Sequence, residues 1–457
     1  MATDSGQWIH MVGIGGAGMS GIARVLREQG YKVSGSDLKR NGISSRLEQI
    51  GIEVHEGHSS SNLKEGVDLL VISSAIPQDN IEVKEARCRN IPIMKRGQML
   101  ASMVNESTGI AVAGAHGKTT TTSMLYTVLV GCGLDPSFIV GGEIQGNQLN
   151  ARLGEGKYFV VEADESDASF LELKPYVAVI TNIENDHLDF YKSFERIQNA
   201  FCQFINQVHP QGIAVMYGED RCIQDIQRSV QARVVLYGED TSFDYSLKDW
   251  TPMGLGSSFS AFHHNHYLGT VELSVPGKHN ALNALAALAT AMELGQDFDE
   301  ISRSLKRFIG TKRRFQIMGK TRGITVVDDY AHHPTEIMAT IDAAQQTPHD
   351  RVVVVFQPHR YSRTKILAEQ FGRAFSKADL VVVTDVYSAG ENPIPGVSGE
   401  LVYQAALESG CNVHYISQIE DIKHYLNEEL RENDLMITMG AGDIWKLAAS
   451  IVEGNGI

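Results

Sequence analysis

A lysine and two threonines follow a glycine turn in Gly114-Ala115-His116-Gly117-Lys118-Thr119-Thr120. Backbone N–H groups of such a turn can surround phosphate oxygens, and the N-terminus of a following helix adds positive potential. Lys118 can reach terminal phosphates, and Thr119 can offer its hydroxyl to a phosphate-bound Mg²⁺. Valine at position 112 replaces the first glycine of the usual spacing, so the motif is a shortened variant. An ATP site is predicted at Gly114, His116, Gly117, Lys118, Thr119 and Thr120; the alternative is a tight strand–helix turn with an exposed lysine.

Two polar runs further along the chain contain groups that bind metal ions. Glu162 to Asp167 holds four carboxylates in six residues, which repel one another unless a cation lies nearby. Beside a nucleotide turn the expected cation is Mg²⁺, and a solvated acidic loop is the alternative. His187, in Thr181 to His187, could be a base, a metal ligand or a loop histidine. Because Mg²⁺ prefers oxygen ligands, the residue type leaves that choice open.

A second glycine turn lies near the N-terminus, where Gly13 to Gly18 fits the pattern G-x-G-x-x-G. Asp37 follows the next predicted strand, at the place of a ribose-binding acid in dinucleotide folds. The motif alone would indicate an NAD-dependent dehydrogenase. The same turn accepts any pyrophosphate, including that of a UDP-sugar, and a purely structural turn is a third possibility.

Later segments add polar groups that could bind a nucleotide base or a carboxylate. His279 and Asn283 are one turn apart on a predicted helix, where the amide needs a nucleotide base or a backbone carbonyl as partner. Polar residues also follow two predicted strands, at 328–334 and 357–363. In the latter, His359, Arg360 and Arg363 could clamp a carboxylate, and a helix cap is the alternative.

Composition restricts the class of protein that carries these groups. The 457 residues, 43% hydrophobic and 21% charged, indicate a globular protein of two or three domains. A formal net charge of −15 argues against nucleic-acid binding, so anionic ligands must be held by glycine turns and single basic side chains. Five scattered cysteines without a CxxC pair indicate reduced thiols. We find no apolar signal region and no apolar run of membrane-spanning length, and we expect a cytoplasmic protein without a membrane partner.

Alternation of short apolar strands with helical segments predicts an α/β protein of three domains. We expect a Rossmann-like domain at 1–105, a central P-loop ATPase-like α/β domain with antiparallel hairpins at 106–314, and a second Rossmann-like domain at 315–457. In open sheets of this kind, ligands bind beyond the carboxyl ends of the strands. The polar clusters named above all follow predicted strands or open predicted helices.

Together the motifs resemble the Mur ligase family, and within it the branch that adds L-alanine. The resemblance covers nearly the whole chain and lies in GIGGAGMSG at 13–21, AGAHGKTTT at 113–121, EADESDASF at 162–170, TNIENDHLD at 181–189, HNALNA at 279–284, DDYAHHPTEI at 328–337 and FQPHRYSRT at 356–364. It implies domains for UDP, ATP and amino-acid binding, in that order. ATP would phosphorylate the lactyl carboxylate of UDP-N-acetylmuramate, and the amine of L-alanine would attack the acyl phosphate, with Mg²⁺ or alternatively Mn²⁺ as the metal.

The resemblance also implies roles for single residues. Lys118, Glu162 and His187 would be catalytic, with Thr119 and Glu162 at one Mg²⁺ and His187 at a second. His279 and Asn283 would contact adenine, and Arg313 and Asp328 the ATP phosphate and ribose. The amino-acid pocket would comprise Tyr330, His332, His359, Arg360 and Arg363. The UDP site would comprise Gly15, Gly18, Asp37, His58 and Ser74, and the muramyl sugar would face Asn150 and Ser166.

One departure and three rival functions complete the prediction. Later ligases of the pathway carry a carbamoylated lysine on the helix after the equivalent of His187, and the helix predicted at 194–204 has no lysine. We therefore expect no carbamate. The rivals are a recycling ligase that adds an intact tripeptide, an NAD-dependent dehydrogenase and a non-catalytic nucleotide sensor. Monomer and dimer are both compatible with the sequence.

Overall fold

The computed structural model describes residues 6–146 and 149–454 and contains three sheets. By its internal contacts the chain divides into two compact units, which are considered separately below. The first comprises residues 1–248, 261–269 and 283–305, and the second comprises residues 249–260, 270–282 and 306–457.

The N-terminal sheet has five parallel strands in the order β3-β2-β1-β4-β5. Because the order reverses between β1 and β4, their carboxyl ends border the crevice where such folds bind ligands. The strands are β1 (Trp8–Val12), β2 (Lys32–Asp37), β3 (Glu53–Glu56), β4 (Leu69–Ile72) and β5 (Ile93–Lys95). The helices are α1 (Ala17–Glu28), α2 (Gly42–Gln49), α3 (Ile81–Cys88) and α4 (Arg96–Val104).

The central sheet has ten strands and carries the phosphate turn. Its strands are β6 (Thr108–Ala113), β7 (Ser137–Ile144), β8 (Leu149–Arg152), β9 (Tyr158–Glu162), β10 (Val177–Ile180), β11 (Ile213–Tyr217), β12 (Arg233–Gly238), β13 (Tyr245–Met253), β14 (Gly256–His263) and β15 (His266–Leu273). The order is β15-β14-β13-β12-β11-β10-β6-β9-β7-β8. Two-residue turns join β13 to β14 and β14 to β15, so these three strands form the predicted antiparallel hairpins. The helices are α5 (Lys118–Gly131), α6 (Leu188–Tyr191), α7 (Phe194–Ile205), α8 (Arg221–Ile226), α9 (Lys278–Glu293) and α10 (Phe298–Arg307).

The C-terminal sheet has six strands in the order β16-β17-β21-β18-β19-β20, and only β16 runs antiparallel to its neighbour. The strands are β16 (Gln316–Thr321), β17 (Ile324–Asp329), β18 (Arg351–Phe356), β19 (Leu380–Val383), β20 (Val413–Tyr415) and β21 (Asp434–Met439). The helices are α11 (Pro334–Ala344), α12 (Tyr361–Ala374), α13 (Gly399–Glu408), α14 (Ile419–Glu429) and α15 (Trp445–Val452). Apolar side chains on both faces of β18 are buried, as a central parallel strand requires.

The predicted α/β class with three domains is confirmed. The apolar runs at 110–113, 177–180 and 352–356 predict strands that correspond to β6, β10 and β18, and the helix predicted at 194–204 corresponds to α7, each within two residues of its observed bounds. The domain limits near 105 and 314 stay a prediction. None of the helices in the described ranges is long and apolar enough to cross a bilayer.

Candidate active site

The phosphate turn between β6 and α5 needs glycine at two positions. Gly114 has φ +138° and Gly117 has φ +85°, values that L side chains rarely adopt. A Cβ at Gly114 would overlap Thr181 Oγ1, and one at Gly117 would lie 2.6 Å from Asn283 Oδ1. Gly117 precedes α5 without a capping side chain in the described structure, so first-turn N–H groups can serve a ligand.

Lys118 places its ammonium group over this turn. Its Nζ donates to Gly114 O at 2.5 Å, Ala115 O at 3.1 Å and Glu165 Oε1 at 2.8 Å. Burial alone would lower the lysine pKa, but the carboxylates of Glu165 and Glu162 outweigh it and raise that pKa. Lys118 therefore carries a positive charge, held in place by three contacts, at the position where the sequence predicted a phosphate-binding lysine.

Thr119 and Glu162 form an oxygen-lined pair beside the turn. Thr119 Oγ1 lies 3.0 Å from both carboxylate oxygens of Glu162. The backbone N–H of Gly141 donates to Glu162 Oε2 at 2.7 Å and fixes the carboxylate. Hydroxyl and carboxylate oxygens are the donors that Mg²⁺ prefers, so this pair fits the metal that the sequence predicted.

The acidic run after β9 is neutralised largely by the protein itself. Arg96 Nη2 lies 2.9 Å from Asp164 Oδ2 and 3.5 Å from Asp167 Oδ2, and Lys118 binds Glu165. The sequence pointed to Mg²⁺ as the cation for all four carboxylates, and in this respect the expectation was too simple. The two protein cations thus pair with three of the four carboxylates. The fourth carboxylate, that of Glu162, lies beside the Thr119 hydroxyl.

Two residues that the site prediction omitted hold the turn from the neighbouring strand. Asn182 Oδ1 accepts from His116 N at 2.9 Å, and Asn182 Nδ2 donates to His116 O at 2.9 Å. Thr181 Oγ1 donates to the same carbonyl at 2.6 Å. Both residues follow β10, which pairs with β6, and that adjacency is the signal that could have identified them.

His187 lies beside Glu165, whose carboxylate also binds Lys118. Its Nε2 lies 3.6 Å from Glu165 Oε1 and 3.5 Å from Asp186 Oδ2. Burial would lower the pKa of the imidazole, but these two carboxylates outweigh it and raise that pKa. The catalytic role of His187 and its contact with a second metal both stay predictions.

The N-terminal glycine turn is closed by the predicted acid. Asp37 Oδ2 accepts from Gly15 N at 2.8 Å, at the carboxyl end of β2. Gly13 has φ +82°, and the turn leads directly into α1. Asp37 therefore stabilises the turn itself, and this contact gives no support to a ribose of NAD.

Four further residues predicted for this region lie in different surroundings. His58 Nδ1 lies 3.1 Å from Ser36 Oγ, below the glycine turn. Asn150 Nδ2 donates to Ala17 O at 3.1 Å, at the first turn of α1. Ser74 is exposed after β4, and Ser166 lies within the acidic run.

In the second unit, the partly buried Arg313 forms an ion pair with the buried Asp328. Arg313 Nε donates to Asp328 Oδ2 at 3.0 Å, and its Nη1 and Nη2 donate to the carbonyls of Gly442 and Gly440 at 3.1 and 2.5 Å. Burial raises the pKa of Asp328, although Arg313 and the Thr438 hydroxyl, at 2.7 Å, oppose that rise. The two residues predicted for ATP thus contact each other.

The residues predicted for the amino acid gather at the carboxyl ends of β17 and β18. The His332 ring lies 5.3 Å from the Tyr330 ring and 5.7 Å from the His359 ring, and Arg363 Nη1 lies 3.5 Å from His359 Nδ1. Burial, assisted by Arg363, lowers the pKa of His332 to about 3 and that of His359 to about 4. Both imidazoles are therefore neutral near pH 7, and Arg360 and Arg363 supply the positive charge.

The two α9 residues predicted for adenine lie in unlike positions. Burial lowers the pKa of His279 to about 4, so its ring is neutral and can donate or accept a hydrogen bond. Asn283 is buried, with its amide oxygen against Gly117 of the phosphate turn. Contact with a base stays a prediction for both.

Three predicted site residues have a backbone that non-glycine residues avoid. His187 has φ +58°, Arg313 has φ +60° and Arg360 has φ +69°. Such conformations cost about 1–2 kcal/mol per residue for side chains with a Cβ. They are three of the fourteen non-glycine residues with positive φ in the described ranges, and each lies in a separate cluster of predicted site residues.

Comparison with known proteins decides the family. Residues 8–108 match the model described as Mur ligase family, catalytic domain; residues 112–291 match the Mur ligase middle domain; and residues 313–442 match the Mur ligase, glutamate ligase domain. The chain belongs to the Mur ligase family. The dehydrogenase alternative is set aside, because all three matched models are Mur ligase domains.

Individual Mur ligases are similar over nearly the full length. The UDP-N-acetylmuramate–L-alanine ligase of Syntrophomonas wolfei is 61% identical over 456 residues, covering 99% of this chain and 98% of that protein. The ligase of the same name from Desulforamulus reducens is 47% identical and covers 97% of both chains. The crystal structure of UDP-N-acetylmuramate-alanine ligase MurC from Thermotoga maritima matches with a TM-score of 0.84 at 30% identity, covering 97% of this chain and 98% of that one. A murein peptide ligase from Psychrobacter arcticus matches with a TM-score of 0.73 at 26% identity, covering 98% and 99%.

Proposed function

We propose that this chain joins L-alanine to the lactyl carboxylate of UDP-N-acetylmuramate, with ATP converted to ADP and phosphate, in peptidoglycan precursor synthesis. The observation that carries the reaction class is the phosphate turn with its fixed Lys118 cation and the Thr119–Glu162 oxygen pair. Relatives named as alanine ligases, 61% and 47% identical over nearly the full length, support the choice of amine.

In the first half-reaction, the γ-phosphoryl group passes to a carboxylate oxygen of the sugar acid and gives an acyl phosphate. Charge spreads over the transferred oxygens in such a transfer, so electrostatic stabilisation is the main task of the protein. Lys118 and the N–H groups at the start of α5 supply it. A Mg²⁺ held by Thr119 and Glu162 would add positive charge next to the phosphates.

In the second half-reaction, the neutral amine of alanine attacks the acyl carbon, the tetrahedral intermediate expels phosphate, and the nitrogen loses a proton. We assign the alanine carboxylate to Arg360 and Arg363, because a guanidinium group can bind a carboxylate through two hydrogen bonds. The neutral rings of His332 and His359 bring no further charge to the pocket at neutral pH. Two arginines therefore supply the positive charge that binds the carboxylate of the amine substrate.

The cellular context follows from the substrates. A ligase that consumes ATP and a UDP-linked precursor works where both are made, so we place it in the cytoplasm. No nucleic acid or membrane partner enters the proposal, and the oligomeric state is left open between monomer and dimer.

A substrate panel tests the proposal. The purified chain is supplied with ATP, Mg²⁺ and UDP-N-acetylmuramate plus L-alanine, L-serine, glycine or the intact tripeptide, and phosphate release and product mass are measured. We expect release that requires both the UDP-sugar and an amino acid, with L-alanine preferred. Activity with the tripeptide alone would identify the recycling ligase, and absence of coupled release would favour a nucleotide sensor.

A pair of variants on α12 adds a control to the panel. Arg363→Gln should raise the KM for L-alanine by about tenfold or more, because it removes a charge-assisted hydrogen bond. Arg373, on the same helix with 79% of its side chain exposed, is the matched control. Arg373→Gln should leave that KM unchanged; equal effects of the two substitutions would remove the assignment of the pocket.

A further inference from the structure

Arg96 is a basic residue beside the N-terminal glycine turn that the motifs did not identify. It is the first residue of α4, directly after β5, and 15% of its side chain is exposed. A Cβ built on Gly18 would lie 3.0 Å from Arg96 Nη1 and 3.4 Å from its Cδ. The guanidinium therefore lies against the first turn of α1, the position at which such turns bind a pyrophosphate.

The two terminal nitrogens of this guanidinium face different partners. Across the described residues, each hydrogen bond found for Arg96 leaves from Nη2: to Asp164 Oδ2 at 2.9 Å, Asp167 Oδ2 at 3.5 Å and Ser169 Oγ at 3.3 Å. Nη1 is the atom nearest to Gly18. One side of the guanidinium is thus fixed on the acidic run, and the other is directed at the glycine turn.

The positive charge of Arg96 would favour an anionic ligand at this position. With a formal net charge of −15, the chain must hold an anionic ligand by local groups. Asp164 and Asp167 would by themselves repel a diphosphate bound at Gly18, and Arg96 neutralises part of that repulsion. The guanidinium carries donors on separate nitrogens in a rigid plane, so one side can bind Asp164 while the other binds a phosphate oxygen, as the compact ammonium group of lysine cannot.

We propose that Arg96 binds the diphosphate of the UDP-linked substrate through Nη1 while Nη2 stays on Asp164. This inference rests on the proposed function, since it takes a UDP-sugar as the ligand of the glycine turn. It makes Arg96 a substrate-binding residue. It also connects the diphosphate to the strand end that carries Glu162, two residues before Asp164 in the chain.

Calorimetric titration with UDP and, separately, with ATP tests the proposal. Arg96→Gln should raise the Kd for UDP by about 10–100-fold, the usual effect of losing a hydrogen bond to a charged group, and should leave the Kd for ATP within about twofold. Arg96→Lys keeps a positive charge but has a single nitrogen, which cannot span Asp164 and the diphosphate together, and should raise the Kd for UDP by about tenfold. Arg24, on α1 and paired with Glu28 at 3.6 Å, is the matched control, and Arg24→Gln should leave both constants unchanged.

Asp164→Asn separates substrate binding from a purely structural role. If Arg96 only anchors the acidic run, Asp164→Asn and Arg96→Gln should impair UDP binding equally, and that result would overturn the proposal. An unchanged Kd for UDP in both Arg96 variants, or parallel loss of UDP and ATP binding, would overturn it as well. If the unmodified chain binds no UDP, the proposed function itself fails, which is a distinct outcome.

Discussion

Lys118 shows how single residues prepare the phosphate site. Its ammonium group already has two carbonyl oxygens and the Glu165 carboxylate as partners. A phosphate that binds Lys118 must replace or join these three partners. The free energy of phosphate binding is therefore the difference between the new contacts and those that are lost. The second carboxylate oxygen of Glu165 is buried and, among the described residues, has no hydrogen-bond partner. We therefore expect the surroundings of Glu165 to change when Lys118 binds a phosphate.

The first prediction concerns this lysine. Lys118→Ala should lower turnover by at least about 10³-fold, because the charge that stabilises the transferred phosphoryl group is lost. UDP-sugar binding should stay nearly intact, since the glycine turn at 13–18 follows a strand of a different sheet. Phosphate release and UDP-sugar titration measure the two effects.

An exposed lysine gives the control for that measurement. Lys174→Ala, at a surface position before β10, should change neither turnover nor binding. A matched loss of UDP-sugar affinity in Lys118→Ala would contradict the separation of the two sites.

At the level of elements, a buried glutamate ties together the parts that carry the glycine turn. Glu82 of α3 has no exposed surface and accepts from Ser36 Oγ at 2.8 Å, Asn62 Nδ2 at 2.7 Å and Ser59 N at 3.1 Å. His10 Nε2 of β1 lies 3.2 Å away. The carboxylate therefore joins α3, the end of β2 and the loop after β3, where His58 lies.

The second prediction is the pH dependence of this network. Burial would raise the pKa of Glu82, but hydrogen bonds from His10, Asn62 and Ser36 outweigh it and lower the pKa from 4.5 to about 2. A carboxyl whose pKa is depressed by folding stabilises the folded state above its unfolded pKa. That contribution should be lost as the pH falls from about 4.5 towards 2.

Melting temperatures measured over this pH range test the network. Glu82→Gln should be destabilised by about 1–3 kcal/mol at neutral pH, because buried partners lose their acceptor, and its melting temperature should fall less steeply with acid. Glu85, half-buried on the same helix and paired with Arg89, is the control, and Glu85→Gln should follow the unmodified chain. Parallel acid profiles for all three proteins would contradict the role of Glu82.

The strands also show how much of the fold can be predicted from the sequence. Strands such as β6, β10 and β18 were predicted because they lie inside sheets, where continuous apolar runs are buried on both faces. β3, β5, β7, β8, β12, β16 and β20 were not predicted; β7 and β12 lie inside the central sheet, and the other five lie at sheet edges. Two of the edge strands, Glu53–Glu56 and Leu149–Arg152, are short and contain few apolar residues, so they give a weak hydrophobic signal.

The same limit applies to the site. Glycine turns, the lysine and the carboxylate after β9 were predictable because their chemistry depends on neighbours in the sequence. Arg96 meets Asp164 across 68 positions of the chain, and only the packing of α4 brings them together. The tight approach of α4 is visible at Gly97, where a Cβ would lie 2.5 Å from Ser169 Cβ. No local pattern specifies such a contact.

For the whole molecule, the reaction joins groups that bind to different compact units. The residues proposed for phosphoryl transfer lie in the first unit, and those proposed for the amino acid lie in the second. An acyl phosphate and an amine must come within bonding distance, so the third prediction is a conformational change on binding of all substrates. Small-angle scattering should show a smaller radius of gyration with UDP-N-acetylmuramate, a non-hydrolysable ATP analogue and L-alanine than without ligands. Profiles that do not change would contradict it.

The left-handed backbone at His187, Arg313 and Arg360, with φ of +58°, +60° and +69°, has a consequence for the evolution of heat resistance in this enzyme. Glycine at these positions would relieve the unfavourable geometry, so a screen that rewards only survival on heating should enrich it. Each such gain would remove an imidazole or a guanidinium that we propose for the binding of substrates or metal. Thermostable descendants that keep all three side chains must therefore find their improvements elsewhere in the fold.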